Sequence, residues 1–263
     1  MKVSYFPGCT LKTKAKELDK YARLCAEALG VTLEEIEDWQ CCGGVFTTAA
    51  DEIATKLSSV RALKSAKEKD QMLVSVCSAC HNVLKQTNYA MANDITFRER
   101  ANNYMAEDAP YEGDAKAIHY LELLRDEIGF DKVREAVKNP LEGKKVAAYY
   151  GCLLLRPGKV MQMDDVENPT IMEDLIRAMG AEPVVYPNRN ECCGGYIALE
   201  NADSAKKRSE RVVDSANAHG ADIILTACPL CKYNLEKNTG AKVYYLTELL
   251  AIALGIKEDN DAE

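Results

Sequence analysis

The chain has 263 residues, of which 47% are hydrophobic and 28% are charged, and its 41 acidic side chains outnumber its 33 basic ones. This composition is that of a globular protein with a core, and it excludes extensive disorder and an apolar membrane body. The net charge of −8 disfavours a nucleic-acid-binding surface, because phosphate contacts require a basic face.

The two ends of the chain bear on its location. The N-terminal residues lack the long apolar stretch and the cleavage site of a secretory signal, so we expect a cytoplasmic protein. The most apolar segment, residues 243–256, contains Thr247 and Glu248, and we expect a packed terminal helix there because the segment is too short and too polar to span a bilayer.

Eleven cysteines in such a large acidic chain favour metal ligation over a disulfide scaffold.

In the first half of the chain, predicted strands alternate with predicted helices, and cysteines follow the strands. Short apolar runs indicate buried parallel strands, and glycine marks the end of a helix. In chain order the features are a strand ending in Gly8-Cys9, a helix closed by Gly30, a strand leading to Cys41-Cys42-Gly43-Gly44, a helix, a strand over 72–76 before Cys77 and Cys80, a helix, and a strand with a helix from 118.

The second half repeats this series. Its corresponding features are Gly151-Cys152 after residues 145–150, Gly180, Cys192-Cys193-Gly194-Gly195, the run 223–227 before Cys228 and Cys231, and residues 243–250. A duplicated alternation of strand and helix predicts an α/β protein of two repeated parallel-sheet domains. Ligands of such sheets bind beyond the carboxyl ends of the strands, where the cysteines lie.

The two halves join near residues 138–144, where Asn-Pro and Gly interrupt a charged stretch. We therefore predict one domain over residues 1–141 and a second over residues 142–263. The first half has an insertion at about residues 85–111, which we expect on the surface. The second half has extra residues between its first cysteine and its cysteine pair.

Ten of the eleven cysteines form two sets of five. In both sets the paired cysteines are followed by 34 residues and then by Cys-x-x-Cys. A zinc site needs four ligands, whereas five thiolates suit a polynuclear iron–sulfur centre in which several irons need ligands. The alternatives are a pair of structural zinc sites, disulfides, and buried thiols in the core. The first cysteine set is Cys9, Cys41, Cys42, Cys77 and Cys80, and the second is Cys152, Cys192, Cys193, Cys228 and Cys231.

This pattern resembles the cysteine-rich CCG domain family, and the whole chain resembles the catalytic B subunits of heterodisulfide reductases. The stretch from Gly151 to Pro157, with residues 167–169 downstream, is similar to the second half of those subunits. The resemblance implies two noncubane [4Fe-4S] clusters, each held by one cysteine set, facing each other across a pseudo-twofold axis. It implies a disulfide oxidoreductase that reduces the coenzyme M–coenzyme B heterodisulfide of methanogenesis, or a related disulfide, to two thiols.

The electrons must come from a partner, because the sequence lacks both the cysteine run of cubane ferredoxins and a dinucleotide-binding glycine motif. The resemblance implies an iron–sulfur C subunit that carries cubane [4Fe-4S] clusters and a flavin-containing A subunit, without membrane insertion. The CCG signature also occurs in other oxidoreductases. The alternative is therefore an electron-transfer iron–sulfur subunit of another complex, with no disulfide substrate of its own.

Three further residues invite interpretation. Cys25 lies outside both sets, at an apolar position of a helix, and we predict that it packs in the core. His81 follows a cysteine and could donate a hydrogen bond to the cluster or the substrate. Because its counterpart in the second half is Lys232, the alternatives are that it is solvated or lies behind the cluster ligands. His119 aligns with Tyr244 in the second half, and we expect a structural role.

Basic residues near the cysteines provide candidates for substrate binding. They could bind the sulfonate or phosphate of an anionic disulfide, or they could offset the negative charge of the clusters. The candidates, which all lie near cysteines in the sequence, are Arg156, Lys159, Arg189 and Lys232.

Overall fold

The computed structural model describes residues 1–37, 39–44, 52–106 and 109–258, with the side chain of residue 52 left out. Residues 107–108 of the predicted insertion and residues 259–263 of the second predicted domain lie outside the described residues. Two four-stranded sheets organise the described part, and every strand pair within them is parallel.

The two sheets have the same topology. The first has the order β2-β1-β3-β4 and the second has the order β6-β5-β7-β8. The predicted α/β class with two repeated parallel sheets is therefore confirmed. The strands are β1 Lys2–Phe6, β2 Thr32–Glu35, β3 Leu73–Ser75, β4 Ala117–His119, β5 Lys145–Tyr149, β6 Glu182–Val184, β7 Ile223–Thr226 and β8 Val243–Tyr245.

Helices connect consecutive strands, as parallel pairing requires. In the first half they are α1 Cys9–Thr13, α2 Lys16–Ala28, α3 Glu52–Glu68, α4 Ser78–Asn93, α5 Ile95–Met105, α6 Tyr120–Glu122, a π-helix over Leu123–Ile128, and α7 Phe130–Ala136. In the second half they are α8 Gly158–Met161, α9 Ile171–Ala178, a 3₁₀ turn over Gly195–Ile197, α10 Ala202–Ala218, α11 Pro229–Thr239 and α12 Leu246–Ala253.

The helices after the third strand of each sheet begin directly behind a cysteine. Cys77 is the cap residue of α4 and Cys228 is the cap residue of α11, both in extended backbone conformation. Pro229 occupies the first turn of α11, where its fixed φ suits a helix start. The second cysteine of each Cys-x-x-Cys motif follows three residues later, so both thiols lie at the N-terminal end of one helix.

Each half contributes its last helix to the other half. Helix α12 packs on α2, where Thr247 Oγ1 donates a hydrogen bond to the Leu18 carbonyl at 3.0 Å. Correspondingly, α7 packs on α9. Cys25 lies in the first of these contacts, fully buried, with its Sγ 3.7 Å from the Thr247 carbonyl. The predicted core position of Cys25 is therefore confirmed.

The fourth strands correct the alignment of the two halves by one residue. His119 pairs with Ser75, whereas Tyr245 pairs with Thr226, the counterpart of Ser75. The equivalent of His119 is therefore Tyr245 rather than Tyr244. Each of the two residues caps the helix that follows its strand. The sequence alone did not reveal this shift of one residue, because similar apolar residues follow His119 and Tyr245 in the two halves.

The insertion of the first half packs on the domain as well as covering its surface. Ile95 and Tyr104 are exposed, as expected, but Met91, Ala101 and Tyr111 are buried. The surface prediction therefore holds only for its outer face. The segment 243–256, predicted as a helix, begins as β8 and continues as α12. Among the described residues, no helix has the length and apolar character needed to cross a membrane.

Candidate metal centre

The carboxyl ends of β1, β2 and β3 bring the first cysteine set together. The Sγ atoms of Cys41 and Cys9 are 3.7 Å apart, and those of Cys42 and Cys80 are 3.5 Å apart. The thiol of Cys77 interacts with that of Cys80. Because parallel strands end at the same edge of a sheet, residues far apart in sequence converge there.

The second cysteine set is assembled in the same way by β5, β6 and β7. The Sγ atoms of Cys193 and Cys231 are 3.6 Å apart, as in the equivalent pair of the first set. The Cys192 sulfur accepts a hydrogen bond from the Gly194 amide at 3.4 Å and interacts with the thiol of Cys152. All eleven cysteines of the chain are free thiols.

The two sets meet where the halves meet. The thiols of Cys77 and Cys228 interact across the two sets, which raises the pKa of Cys77 and lowers the pKa of Cys228. Beside them, the Ser78 amide and hydroxyl both donate hydrogen bonds to the Ala227 carbonyl, at 3.2 and 2.8 Å. Both cysteines are buried, so the two sets are joined inside the protein.

Glycines keep carbon atoms away from the sulfurs. Gly8 and Gly151, which precede the first cysteine of each set, have φ values of 77° and 64°. A Cβ atom on Gly8 would lie 2.8 Å from the Cys80 sulfur, and one on Gly151 would lie 3.3 Å from the Cys231 sulfur. The two sulfurs therefore approach the glycine backbone more closely than a side chain at either position would easily allow.

Hydrogen bonds between the thiols favour one thiolate in each adjacent cysteine pair. The pKa of Cys42 is lowered to about 3, first by the hydrogen bond with Cys41. The pKa of Cys192 is lowered to about 2, first by the hydrogen bond with Cys152. The same bonds raise the pKa values of Cys41 and Cys152. Thiolates are the form in which cysteine binds metals.

The donor set fits a group that contains several metal ions. No three His, Cys, Asp or Glu side chains in the described ranges are placed to hold one metal ion together. Within the first set the Cys80 thiol contacts those of Cys42 and Cys77, and within the second set the Cys192 thiol contacts those of Cys152 and Cys193. Soft thiolate ligands in this number suit an iron–sulfur cluster.

His81 is buried rather than solvated. Its side chain is fully enclosed, with Nδ1 3.4 Å from Ser75 Oγ and Nε2 3.4 Å from Glu122 Oε2. Burial lowers the pKa of His81 well below its usual 6.5, and the neighbouring His119 lowers it further. Burial also raises the pKa of Glu122. The solvated role considered for His81 is therefore wrong, and the residue belongs to the interior behind Cys80.

Arg156 lies at the edge of the second cysteine set. Its Nη1 donates to the carbonyl of Asn190, two residues before Cys192, at 3.0 Å. Its Nη2 lies 3.2 Å from Glu167 Oε1, and 39% of the Arg156 side chain is exposed. The guanidinium group therefore remains accessible to a ligand near the cysteines.

Lys232 has its charge already matched. Its ammonium group donates to Glu236 Oε1 at 2.6 Å and to the carbonyl of Val243, and it lies 3.6 Å from Glu248 Oε2. Only 21% of its side chain is exposed. These partners belong to α11, β8 and α12, so Lys232 connects the elements behind the second cysteine set.

Arg189 is a structural residue. It is buried, and it donates to Asn168 Oδ1 at 2.6 Å while its Nε lies 3.4 Å from Glu173 Oε1. Its carbonyl accepts hydrogen bonds from the amides of Tyr150 and Gly151. Burial of its side chain makes Arg189 a weak candidate for substrate binding, and its carbonyl fixes the turn before Cys152. Lys159 instead lies over the ring of Tyr89, with Nζ 5.6 Å from the centroid.

Three side chains near the cysteines were not predicted from the sequence. Lys56 lowers the pKa of Cys42, and Arg208 lowers the pKa of Cys192, in each case as a smaller contribution than the thiol hydrogen bonds. Both basic residues lie near the start of the helix after a Cys-Cys-Gly-Gly motif, a position that could have indicated them. The third residue, Tyr196, donates a hydrogen bond from its hydroxyl group to the Gly44 carbonyl at 2.7 Å.

Comparison with known proteins finds one family that matches both halves. The family, CCG, is described as a cysteine-rich domain, and its profile matches residues 3–85 and 146–236. The chain is 31% identical to the 8-methylmenaquinol:fumarate reductase membrane anchor subunit of Wolinella succinogenes, covering 96% of the chain and 92% of that relative.

Other relatives are named after a different enzyme. The chain is 28% identical to the B subunit of the ferredoxin:CoB-CoM heterodisulfide reductase of Methanosarcina mazei, over 98% of the chain and 91% of that relative. A protein of Archaeoglobus profundus, named as similar to the B subunit of heterodisulfide reductase, is 27% identical over 100% of the chain and 93% of the relative. Among solved structures, a hypothetical protein from Helicobacter pylori shares the fold, with a TM-score of 0.74, 14% identity, and coverage of 97% of the chain and 49% of that protein.

Proposed function

The chain belongs to the cysteine-rich CCG domain family, and from this membership we propose that it is the catalytic iron–sulfur subunit of a heterodisulfide reductase. Its relatives support an iron–sulfur oxidoreductase that works within a complex. The observation that carries the finer proposal is the meeting of the two cysteine sets at Cys77 and Cys228. One disulfide could be contacted from both sides there.

We propose that each cysteine set holds one noncubane [4Fe-4S] cluster. When bound, the two clusters would supply electrons to the disulfide and iron sites for the two separating sulfurs. The thiol contacts, the lowered pKa values of Cys42 and Cys192, and the close approach of glycine to the sulfurs support this assignment. The ligands would be Cys9, Cys41, Cys42, Cys77 and Cys80 for the first cluster and Cys152, Cys192, Cys193, Cys228 and Cys231 for the second.

The reaction converts R–S–S–R′, two electrons and two protons into RSH and R′SH. The protein's part is to hold both sulfurs at the boundary between the sets, so that neither fragment diffuses away as a radical. We propose that the substrate is the coenzyme M–coenzyme B heterodisulfide or a related anionic disulfide. Arg156, half-exposed beside the second set, is the stronger candidate for its anionic group, and Lys232 is the weaker one because two carboxylates already bind it.

The electron supply defines the proposed partners. We propose an iron–sulfur C subunit that carries cubane [4Fe-4S] clusters, together with a flavin-containing A subunit, in a cytoplasmic complex. Relatives from Methanosarcina are named as subunits of heterodisulfide reductases, which supports assembly with partners.

A second function is favoured by the relative from Wolinella succinogenes, which is named as a subunit of a fumarate reductase. In this alternative the chain carries electrons between partners and has no disulfide substrate of its own. The same two cysteine sets would serve, because electron transfer also requires clusters that lie close together.

Anaerobic purification separates the two functions. The proposed reductase should contain about eight irons per chain, as two four-iron clusters require. Adding the product thiols should change its paramagnetic signal, and the protein should reduce the disulfide with electrons from a reduced viologen dye. An electron carrier would contain the iron without responding to thiols. A zinc protein would contain no iron.

A further inference from the structure

Tyr196 connects the two cysteine-bearing loops. It directly follows the second Cys-Cys-Gly-Gly motif, and its hydroxyl group donates a 2.7 Å hydrogen bond to the carbonyl of Gly44, the last residue of the first motif. A Cβ atom on Gly44 would lie 3.5 Å from the Cys42 sulfur. The phenol therefore extends from one set to within a short distance of the other.

Cysteines of both sets act electrostatically on this phenol. Burial raises the pKa of Tyr196, and the thiol groups of two cysteines from each set raise it further. These cysteines are Cys228 and Cys152 from the second set and Cys42 and Cys77 from the first. Tyr196 thus lies at the boundary where the two sets meet.

The ring of Tyr196 is nevertheless open to solvent. Its exposure is 39%, whereas Tyr245, whose hydroxyl group also bonds across the halves, is fully buried. Tyr245 shows that an enclosed tyrosine is enough to join the halves by a hydrogen bond. The exposed ring instead offers a surface that a small molecule can contact.

We propose that Tyr196 positions the disulfide substrate, with its exposed ring as a contact surface beside the two cysteine sets. The hydrogen bond to Gly44 holds the ring in place, and the ring makes a sulfur–aromatic contact with the bound disulfide. This assignment rests on the proposed reductase function. In the sequence, Val45 follows the first motif where Tyr196 follows the second, so a tyrosine follows one motif and not the other, and this asymmetry could distinguish the two ends of an unsymmetrical disulfide.

Steady-state kinetics of the cluster-loaded protein test the assignment, with reduced viologen as the electron source and a mixed disulfide as the substrate. Tyr196→Ala should raise KM up to about tenfold, the size expected for the loss of a sulfur–aromatic contact, with kcat and iron content unchanged. Tyr196→Phe keeps the ring and loses its anchor, and it should raise KM about threefold. In the same variants, the thiol concentration that half-saturates the change in the paramagnetic signal should rise in parallel.

Tyr104→Ala is the matched control, because Tyr104 is exposed on α5 in the first-half insertion. It should leave KM unchanged. If Tyr196→Ala kept both clusters and had an unchanged KM, the assignment would be overturned. Equal loss of iron from both Tyr196 variants would also overturn it, because that result would indicate a structural role. A wild-type protein that neither reduces the disulfide nor responds to thiols would overturn the reductase function and the assignment together.

Discussion

The hydroxyl group of Tyr245 donates a 2.6 Å hydrogen bond to the carbonyl of Val76, across the contact between the two halves. The same carbonyl lies 3.0 Å from His119 Nε2. Because His119 Nδ1 accepts a hydrogen bond from a backbone amide, Nε2 carries the proton and donates. Val76 precedes Cys77, so side chains of both halves determine where this cysteine lies.

Tyr245→Phe should lower the free energy of unfolding by about 1 kcal/mol, the usual contribution of one buried hydrogen bond. The loss is moderate because His119 still donates to the Val76 carbonyl. Urea unfolding, followed by circular dichroism, measures it. Tyr104→Phe, at an exposed position, is the control and should have no effect. Equal stability of the Tyr245 variant and the wild type would show that the hydrogen bond contributes nothing.

Single cysteine substitutions should remove iron from one set at a time. Cys42→Ser and Cys193→Ser should each lower the iron content to about half, since each set is proposed to hold its own four-iron cluster. Cys25→Ala is the matched control, because Cys25 is buried outside both sets. It should keep all the iron. Iron and acid-labile sulfide per chain measure the result, and full iron content in Cys42→Ser would contradict the assigned ligand.

Gly8→Ala tests the space beside the sulfurs. Gly8 has φ 77° and ψ 161°, a conformation almost restricted to glycine, and the added Cβ would lie 2.8 Å from the Cys80 sulfur. We expect loss of the first cluster's iron and a cost in stability of about 2 kcal/mol or more. Gly143→Ala separates the effect of backbone strain from the effect of the contact with the sulfur.

Gly143 also has a positive φ, of 74°, but a Cβ there would meet nothing within 4 Å. Its alanine variant should therefore cost about 1 kcal/mol from backbone strain alone and keep all the iron. If Gly8→Ala behaved in the same way as Gly143→Ala, the close approach to Cys80 would be unimportant. Iron content and urea unfolding of the two variants give the answer.

Arg156→Glu should raise KM for an anionic disulfide by about tenfold or more, because it replaces an attractive charge by a repulsive one. Iron content should stay the same, since Arg156 contacts Asn190 and Glu167 rather than a sulfur. Lys232→Met is the comparison. It should mainly lower stability, because the ammonium group is bound by Glu236 and Glu248. Equal effects of both variants on KM would show that Lys232 also binds the substrate.

Glu35 should give the protein a pH-dependent stability. Burial would raise the pKa of Glu35, but hydrogen bonds from Lys12 and from Trp39 Nε1, at 2.8 and 2.9 Å, outweigh burial and lower the pKa below its usual 4.5. A lowered carboxyl pKa contributes stability that is present above pH 4.5 and is lost as the pH falls through the folded-state value.

Glu35→Gln should therefore be less stable than the wild type at about pH 6, and the difference should shrink at about pH 3. Urea unfolding can be followed by the fluorescence of Trp39, the single tryptophan of the chain. High salt should reduce the difference, because it screens the partly exposed ion pairs with Lys12 and Arg23. A difference that did not change with pH would contradict the role of Glu35.

The repeat made most of the fold predictable. Apolar runs before Gly8-Cys9 and Gly151-Cys152 became β1 and β5, and glycine after the first long helix of each half marked its end. The spacing of the cysteines predicted that each set would follow the strands of one parallel sheet. These features are local, because strand propensity and helix ends depend on residues that are near each other in the chain.

The exchange of last helices was not predictable. Thr247 bonds to Leu18, and α7 packs on α9, but nothing in either segment indicates a partner in the other half. His81 shows the same limit. Its polar side chain suggested a solvent-exposed position, but Ser75 and Glu122, which belong to other elements, contact the side chain in the interior.

The sequence by itself determined the two parallel sheets and the two sets of five cysteines, because strand periodicity and ligand spacing depend only on the order of residues in the chain. Only the tertiary structure decided that the sets meet at Cys77 and Cys228 and that Tyr196 reaches Gly44 between them. These contacts join residues whose separation in sequence is large. Their geometry depends on how the halves pack against each other, and the pattern of neither half contains that information.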